Sequence, residues 1–466
     1  MRAWIIICLL VGLAVPATPV VAEDAEALKQ ELEQMRRRFE NAQQEYQKAV
    51  EALSERLQRL EAKPQAASSP PVLVQAPPAP APSSGPTPMD LLRPRDPFAL
   101  YSQRGPGQLL FDIGVAGDFV ADLTQKNVEK ATGGTFPGQE NRFFPREIEL
   151  NLFGQIDPYA RGQVIIEAAQ ESAGEEIAVS LAEAHLTLLT LPYGTQAKLG
   201  LVRNRFGLTN ELHAHELAYI DRPDVMVVFL GEEGLNESGA ELTWVPPLPF
   251  YLQLLAGIFN GDNDTAFGKG SLREPLITGR VRAFFEPTDT SAIQVGLSVA
   301  TGDTPENLRN TLLGYDVKYK YRPEGWRHPL LTLASEGLWS FRRVEAEEQV
   351  DTDGDGVPDT TVTSKQTLDR FGFYVYGEVQ PWRRWAFGTR YDNTQFPADP
   401  GREWAIGPYV TFWPSEFLRF RLGYKHTERS SQTRDQFNLN GGSARTVDEI
   451  MFQASFILGA HPAHPF

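Results

Sequence analysis

Two stretches of this sequence carry residue types at spacings that could do chemistry. The first reads DTDGDGVPDT, with Asp351, Asp353, Asp355 and Asp359 around Gly356. Alternate carboxylates can converge on a hard cation, and the glycine permits the sharp turn that brings them together. The twelfth position of the pattern is Val362 instead of a bidentate glutamate, so an EF-hand is not expected. A thrombospondin-type turn is closer, with a structural Ca2+ stiffening the loop at 351–359 and no cofactor required otherwise. The second stretch places His213 and His215 either side of Ala214, close to Glu211, while His461 and His464 repeat the theme near the C-terminus. Imidazoles can hold zinc or copper, but two alone bind weakly. The two pairs are expected on opposite sides of a membrane, so they cannot form one site, and histidines at a surface are usually just polar groups. The chain has no GxSxG elbow, phosphate loop or HExxH motif, and no enzymatic activity is expected.

The elements that must position these residues are β-strands. Ala197, Leu199 and Leu201 alternate with Lys198 and Gly200, and Ala240, Leu242 and Trp244 alternate with Gly239, Glu241 and Thr243. A period of two marks a strand with two different faces. Similar runs recur from Gly107 to the C-terminus, joined in turn by a long polar connection and a short turn, as in LITGRVRAFF, EPTDTS, AIQVGLSVA. About sixteen strands are expected, an even number, in an antiparallel transmembrane barrel of the outer-membrane type. Trp244, Phe285, Trp339, Phe341, Trp382, Trp385, Trp404, Phe412 and Trp413 fall near strand ends, where the girdles of such barrels sit. A long loop is expected to run to Lys365. The phase of 176–188 is ambiguous, and Pro408 interrupts a strand.

The chain ahead of the barrel is different material. Residues 1–22 have Arg2, a short apolar run and small residues ending at Ala22, which reads as a secretory signal peptide. The single cysteine, Cys8, lies within it, so no disulfide is expected in the exported protein. Residues 23–63 place apolar side chains at alternating steps of three and four over about five heptads, broken only at Arg56, and predict a periplasmic coiled coil roughly 60 Å long. Residues 64–100 are a Pro- and Ala-rich linker, and the barrel occupies 101–466. A formal net charge of −16 excludes a nucleic-acid partner; the expected partner is the lipid bilayer of the bacterial outer membrane.

If the apolar faces meet lipid, the opposite faces line a pore. They carry Glu147, Glu149, Glu167, Glu183 and Glu241 on earlier strands, and Arg280, Arg282, Lys318, Lys320, Arg390, Arg419, Arg421 and Lys425 on later ones. Acids and bases would then face each other across the lumen as opposed rows. The third long connection, 207–236, is roughly thirty residues, far beyond hairpin length. It is acidic, with Glu211, Glu216, Asp221, Asp224, Glu232 and Glu233 against Arg222, and its apolar run Val225–Leu230 needs a protein wall to cover it.

The succession of signal peptide, heptads, spacer and barrel resembles the phosphate-selective porin O and P family. The stretches FGLTNELHAHELAYIDRP, FNGD and LGAHPAHPF also resemble a group labelled zinc-regulated TonB-dependent outer-membrane receptor. The porin resemblance implies a water-filled channel for passive diffusion of small ions or solutes, assembled as a homotrimer. In general porins the third loop folds inward, which would place Glu211, His213, His215, Asp221 and Arg222 at a constriction. A substrate-specific or metal-related receptor and a structural tether are the alternatives. No plug domain of the kind carried by TonB-dependent receptors precedes the barrel in the sequence.

Overall fold

A computed structural model describes residues 110–131, 133–170, 172–350, 360–432 and 445–459. They form a closed antiparallel barrel of sixteen strands in which each strand pairs with its sequence neighbours and the last pairs with the first. In chain order these are β1 (Leu110–Thr124), β2 (Arg142–Asp157), β3 (Ala160–Ala169), β4 (Ala178–Leu191), β5 (Thr195–Arg203), β6 (Asn236–Trp244), β7 (Tyr251–Phe259) and β8 (Leu276–Thr288). There follow β9 (Ser291–Asp303), β10 (Arg309–Tyr321), β11 (Leu331–Val350), β12 (Thr360–Trp382), β13 (Trp385–Gln395), β14 (Arg402–Ser415), β15 (Leu418–Arg429) and β16 (Thr446–Gly459). Closure runs from Gly114↔Gly459 to Thr124↔Glu449, which leaves no unpaired edge. Among the described residues, helix α1 (Lys126–Ala131) follows β1 and helix α2 (Asp224–Leu230) lies between β5 and β6.

Burial along the strands is inverted relative to a protein that folds in water. Leu297 is 65% exposed beside Ser298 at 5%, and Leu422 is 49% exposed beside Arg421 at 2%. Val281 and Val317 are likewise exposed next to buried Arg280 and Asp316. A continuous apolar exterior around a polar interior is stable only where lipid covers the outside, so this is a membrane-spanning barrel of the outer-membrane kind. Trp244, Phe285, Trp339, Trp382 and Trp385 are exposed on the same outer surface.

The departures from simple alternation have local causes. In β4 the ladder steps from Ile165↔Glu183 to Ile166↔Leu181, so Ala182 is an extra residue. Ala182 and Glu183 are both buried, although adjacent. That bulge resets the phase and accounts for the ambiguity of 176–188. Pro408 pairs with Thr389 of β13. Towards β15 the bonded pairs skip from Ile406↔His426 to Tyr409↔Gly423, so the missing N–H falls at a break in the ladder. The long loop expected up to Lys365 is corrected: β11 and β12 stay paired out to Val350↔Thr360, because even their polar ends satisfy backbone hydrogen bonds as a hairpin extension. The expected signal peptide, coiled coil and linker lie outside the described residues, as do Asp351, Asp353, Asp355, Asp359, His461 and His464.

Candidate functional site

The barrel interior is organised by the connection between β5 and β6, residues 204–235, which folds inward and touches the wall on several sides. Its neck is tied by Asn210, whose Nδ2 donates to Asn204 O at 2.7 Å and Leu235 O at 3.1 Å while its Oδ1 accepts from Leu235 N at 2.8 Å. Just inside the neck, Gly207 has φ +67°, and a Cβ there would fall 1.6 Å from Glu336 Oε1. Only glycine allows that approach. Glu336, on β11, accepts from Leu208 N at 3.0 Å, from the Thr209 hydroxyl at 2.9 Å and from the Tyr374 hydroxyl at 3.0 Å.

The loop next reaches the acidic side. His213 Nε2 lies 2.8 Å from Glu183 Oε1, and its Nδ1 lies 3.3 Å from Glu147 Oε1 and closer still to Glu149 Oε1. The backbone N–H of His215 donates to Glu147 Oε2 at 3.0 Å, with the ring Nδ1 3.3 Å from the same oxygen. Burial, and next Arg203, oppose a positive charge on His213, but Glu149 and Glu147 outweigh them and hold its pKa well above the ordinary histidine range. His215 is raised too, with burial again outweighed by Glu147 and Glu149. Arg146 pairs with Asp118 and donates to Ile220 O and, at 3.2 Å, to Ala214 O, while Arg419 donates to the carbonyls of His215 and Leu217.

It then crosses to the basic side. Asp221 Oδ2 takes Arg390 Nη2 at 2.7 Å and Lys425 Nζ at 2.8 Å, and Lys425 also reaches Asp224 Oδ1 at 2.6 Å. Burial would raise the Asp221 pKa, but Arg390 and then Lys425 hold it well below the usual carboxylate range. Helix α2 follows at once. Val225, Met226, Phe229 and Leu230 are fully buried in a cluster with Phe206, Leu338 and Tyr374, which supplies the wall that the apolar run required. Arg222 turns back on its own loop and donates to Thr209 O at 3.2 Å and Leu212 O at 2.9 Å. Glu211 lies 3.4 Å from Arg282 and 3.9 Å from Arg280.

Glu147, Glu149, Glu183, Glu241, Arg280, Arg390, Arg421 and Lys425 are buried on the inner face, and Glu167, Arg282, Lys318, Lys320 and Arg419 are partly buried. Several members of these rows are engaged by partners. Glu241 binds Arg205, Arg280 binds Asp316 at 3.0 Å, and Arg421 donates to Thr411 and Gln453. The loop is charged to match both sides, presenting imidazoles to the acids and carboxylates to the bases. The reading of His213 and His215 as surface groups is also corrected: both are buried, since the loop turns them into the wall. Sequence reasoning missed Asn210, Asp118, Arg146, Asp316 and Glu336. The last four belong to strand regions, but their partners are remote in the chain, and no local spacing announces the contacts. Beside the loop a recess remains, bounded by Lys318, Tyr376, Glu378, Trp413, Arg419 and Arg421.

No protein-family model matches the chain. An uncharacterized protein of Aquifex aeolicus (strain VF5) is 29% identical over 402 residues, covering 77% of this chain and 79% of the relative. Among solved structures, the outer membrane channel DcaP of Acinetobacter baumannii aligns with a TM-score of 0.49 at 11% identity, over 75% of this chain and 97% of that one. The trimer form of OmpT from Vibrio cholerae aligns at 0.46 and 8% identity, over 75% and 99% of the two chains. An anion-selective porin from Comamonas acidovorans gives 0.46 at 8% identity, with coverage of 75% and 99%.

Proposed function

We propose that this protein is an outer-membrane channel through which small ions or hydrophilic solutes diffuse passively, past a constriction set by the loop at 207–236. The observation that carries the reading is a closed sixteen-stranded wall with a charged interior that one loop crosses, leaving beside it a recess lined by both charged and apolar side chains. Sixteen strands enclose more space than strand side chains alone fill. Selection would come from the charged groups next to the loop, chiefly Lys318, Arg419, Arg421 and Glu378, because fixed charge around a narrow aqueous path favours one sign of ion. Purified full-length protein in a planar bilayer should give discrete conductance steps without an energy source. A barrel that inserts yet never conducts would sink the channel and favour a receptor or a tether.

Assembly as a homotrimer is part of the same reading, with the heptads of 23–63 adding to contacts between barrels. Deleting 23–63 and sizing the detergent-solubilised protein should show a smaller or more readily dissociated oligomer. An unchanged oligomer would assign association to the barrel walls alone.

A further inference from the structure

We propose that His213, Glu147, Glu149 and Glu167 form a binding site for one divalent first-row transition cation, which ties the inner loop to the barrel wall. The side chains converge from three elements. Glu147 and Glu149 are two residues apart on β2 and so share a face, Glu167 stands opposite Glu149 in the β2–β3 register, and His213 descends from the loop. One ligand atom from each lies within 4.8 Å of all the others, a set that small shifts could gather around a single ion.

The outer contacts leave the inner atoms aimed at one another. Glu149 Oε2 accepts from Asn151 Nδ2 at 3.1 Å, and Glu147 Oε2 accepts from the His215 backbone N–H at 3.0 Å. His213 Nε2 sits 2.8 Å from Glu183 Oε1, which leaves Nδ1 as the ring nitrogen turned towards Glu147 and Glu149. A carboxylate behind the far nitrogen of the ring is how metal-bound histidines are oriented. The remaining atoms, His213 Nδ1 and Glu149 Oε1, are buried and face each other as an ion pair, with Glu147 Oε1 3.3 Å from the same nitrogen. Those residues are 4% and 1% exposed.

Acidic groups outnumber the imidazoles around the cluster. The carboxylates of Glu147, Glu149, Glu167 and Glu183 meet there, against the imidazoles of His185, His213 and His215. The nearby Arg203 is engaged by Glu233, with 2.9 Å to its carbonyl and 2.6 Å to its carboxylate. A dication held by Nδ1 and carboxylate oxygens offsets that surplus at its centre. An imidazole among the ligands selects against magnesium and calcium and favours ions such as Zn2+. The site stands whether or not the barrel conducts, so its failure and that of the channel are separate results.

The test loads detergent-solubilised full-length protein with Zn2+, dialyses it against excess Mg2+ and measures retained zinc. Wild type should keep one zinc per chain. His213→Ala and Glu149→Gln should lose it, Glu183→Gln should weaken it by about 10–100-fold, and His328→Ala, at a distant turn, should keep it. Heat-modifiable gel migration reports which variants remain folded barrels. If a cluster variant does not fold, the wild-type measurement still decides, because wild type retaining no zinc overturns the site. Zinc retained equally by a folded His213→Ala protein overturns it too, and places the metal elsewhere.

Discussion

Replacing Asp221 with alanine should cost about 3–5 kcal/mol of the free energy that docks the inner loop, the range for breaking a buried ion pair from one side. Asp221, Arg390 and Lys425 are all buried, and one carboxylate oxygen receives both cations. Arg390 retains Asp392 at 2.7 Å and Lys425 retains Asp224 at 2.6 Å, which places the cost towards the lower end. The loop should not come away entirely. Val225, Met226, Phe229 and Leu230 in α2 each contribute about 1.5–3 kcal/mol by burial, and their sum exceeds the lost ion pair. Hydrogen exchange should therefore accelerate across 213–222 while 225–230 stays protected. Adding Lys425→Met should recover part of the loss, since it removes a cation left short of a partner. Equal protection of both segments in Asp221→Ala would show that the ion pair is not what holds that limb.

Excising 208–234 and bridging the gap with a short glycine linker should raise single-channel conductance several-fold and move selectivity towards anions. The excised stretch has a net charge of −5, from Glu211, Glu216, Asp221, Asp224, Glu232 and Glu233 against Arg222. Its carboxylates cover Arg282, Arg390 and Lys425, so removal turns those bases towards the water path. Glu147, Glu149 and Glu183 lose their imidazole partner on the other side, but the whole barrel is left five charges more positive. The change in reversal potential should shrink as salt rises, because the Debye length falls from about 10 Å at 0.1 M to about 3 Å at 1 M. In full-length protein, Arg280→Glu, Arg282→Glu and Lys320→Glu together should shift the potential the opposite way, towards cations. A reversal potential unmoved by either change would remove these residues from the ion path, and unchanged conductance after excision would remove the loop.

The strands and their number are legible in the sequence for a common reason. In a barrel each strand meets lipid on one side and the interior on the other, so facing is written locally as a period of two. Arg280 beside Val281, or Arg421 beside Leu422, can be oriented without knowing any other part of the chain. The alternation fails as a guide where the backbone adds a residue, as at Ala182, because every facing beyond a bulge is reset. It fails again at the ends of β11 and β12, where pairing extends beyond the apolar pattern and backbone hydrogen bonds set the strand length.

The site was decided by tertiary structure. Alternation says that Glu147, Glu149, Arg390 and Lys425 point inward, but not at what height a loop will meet them. Asp221 finds Arg390 across 169 residues and Lys425 across 204, and His213 finds Glu183 across 30. These contacts depend on closing the barrel, which brings β2, β13 and β15 around a single loop, and on the neck clasped by Asn210, which sets where that loop enters. Charge signs and strand faces are properties of short segments and can be read from them. Which charges become partners depends on the depth and tilt of a folded loop inside a closed wall, and only the assembled barrel determines that.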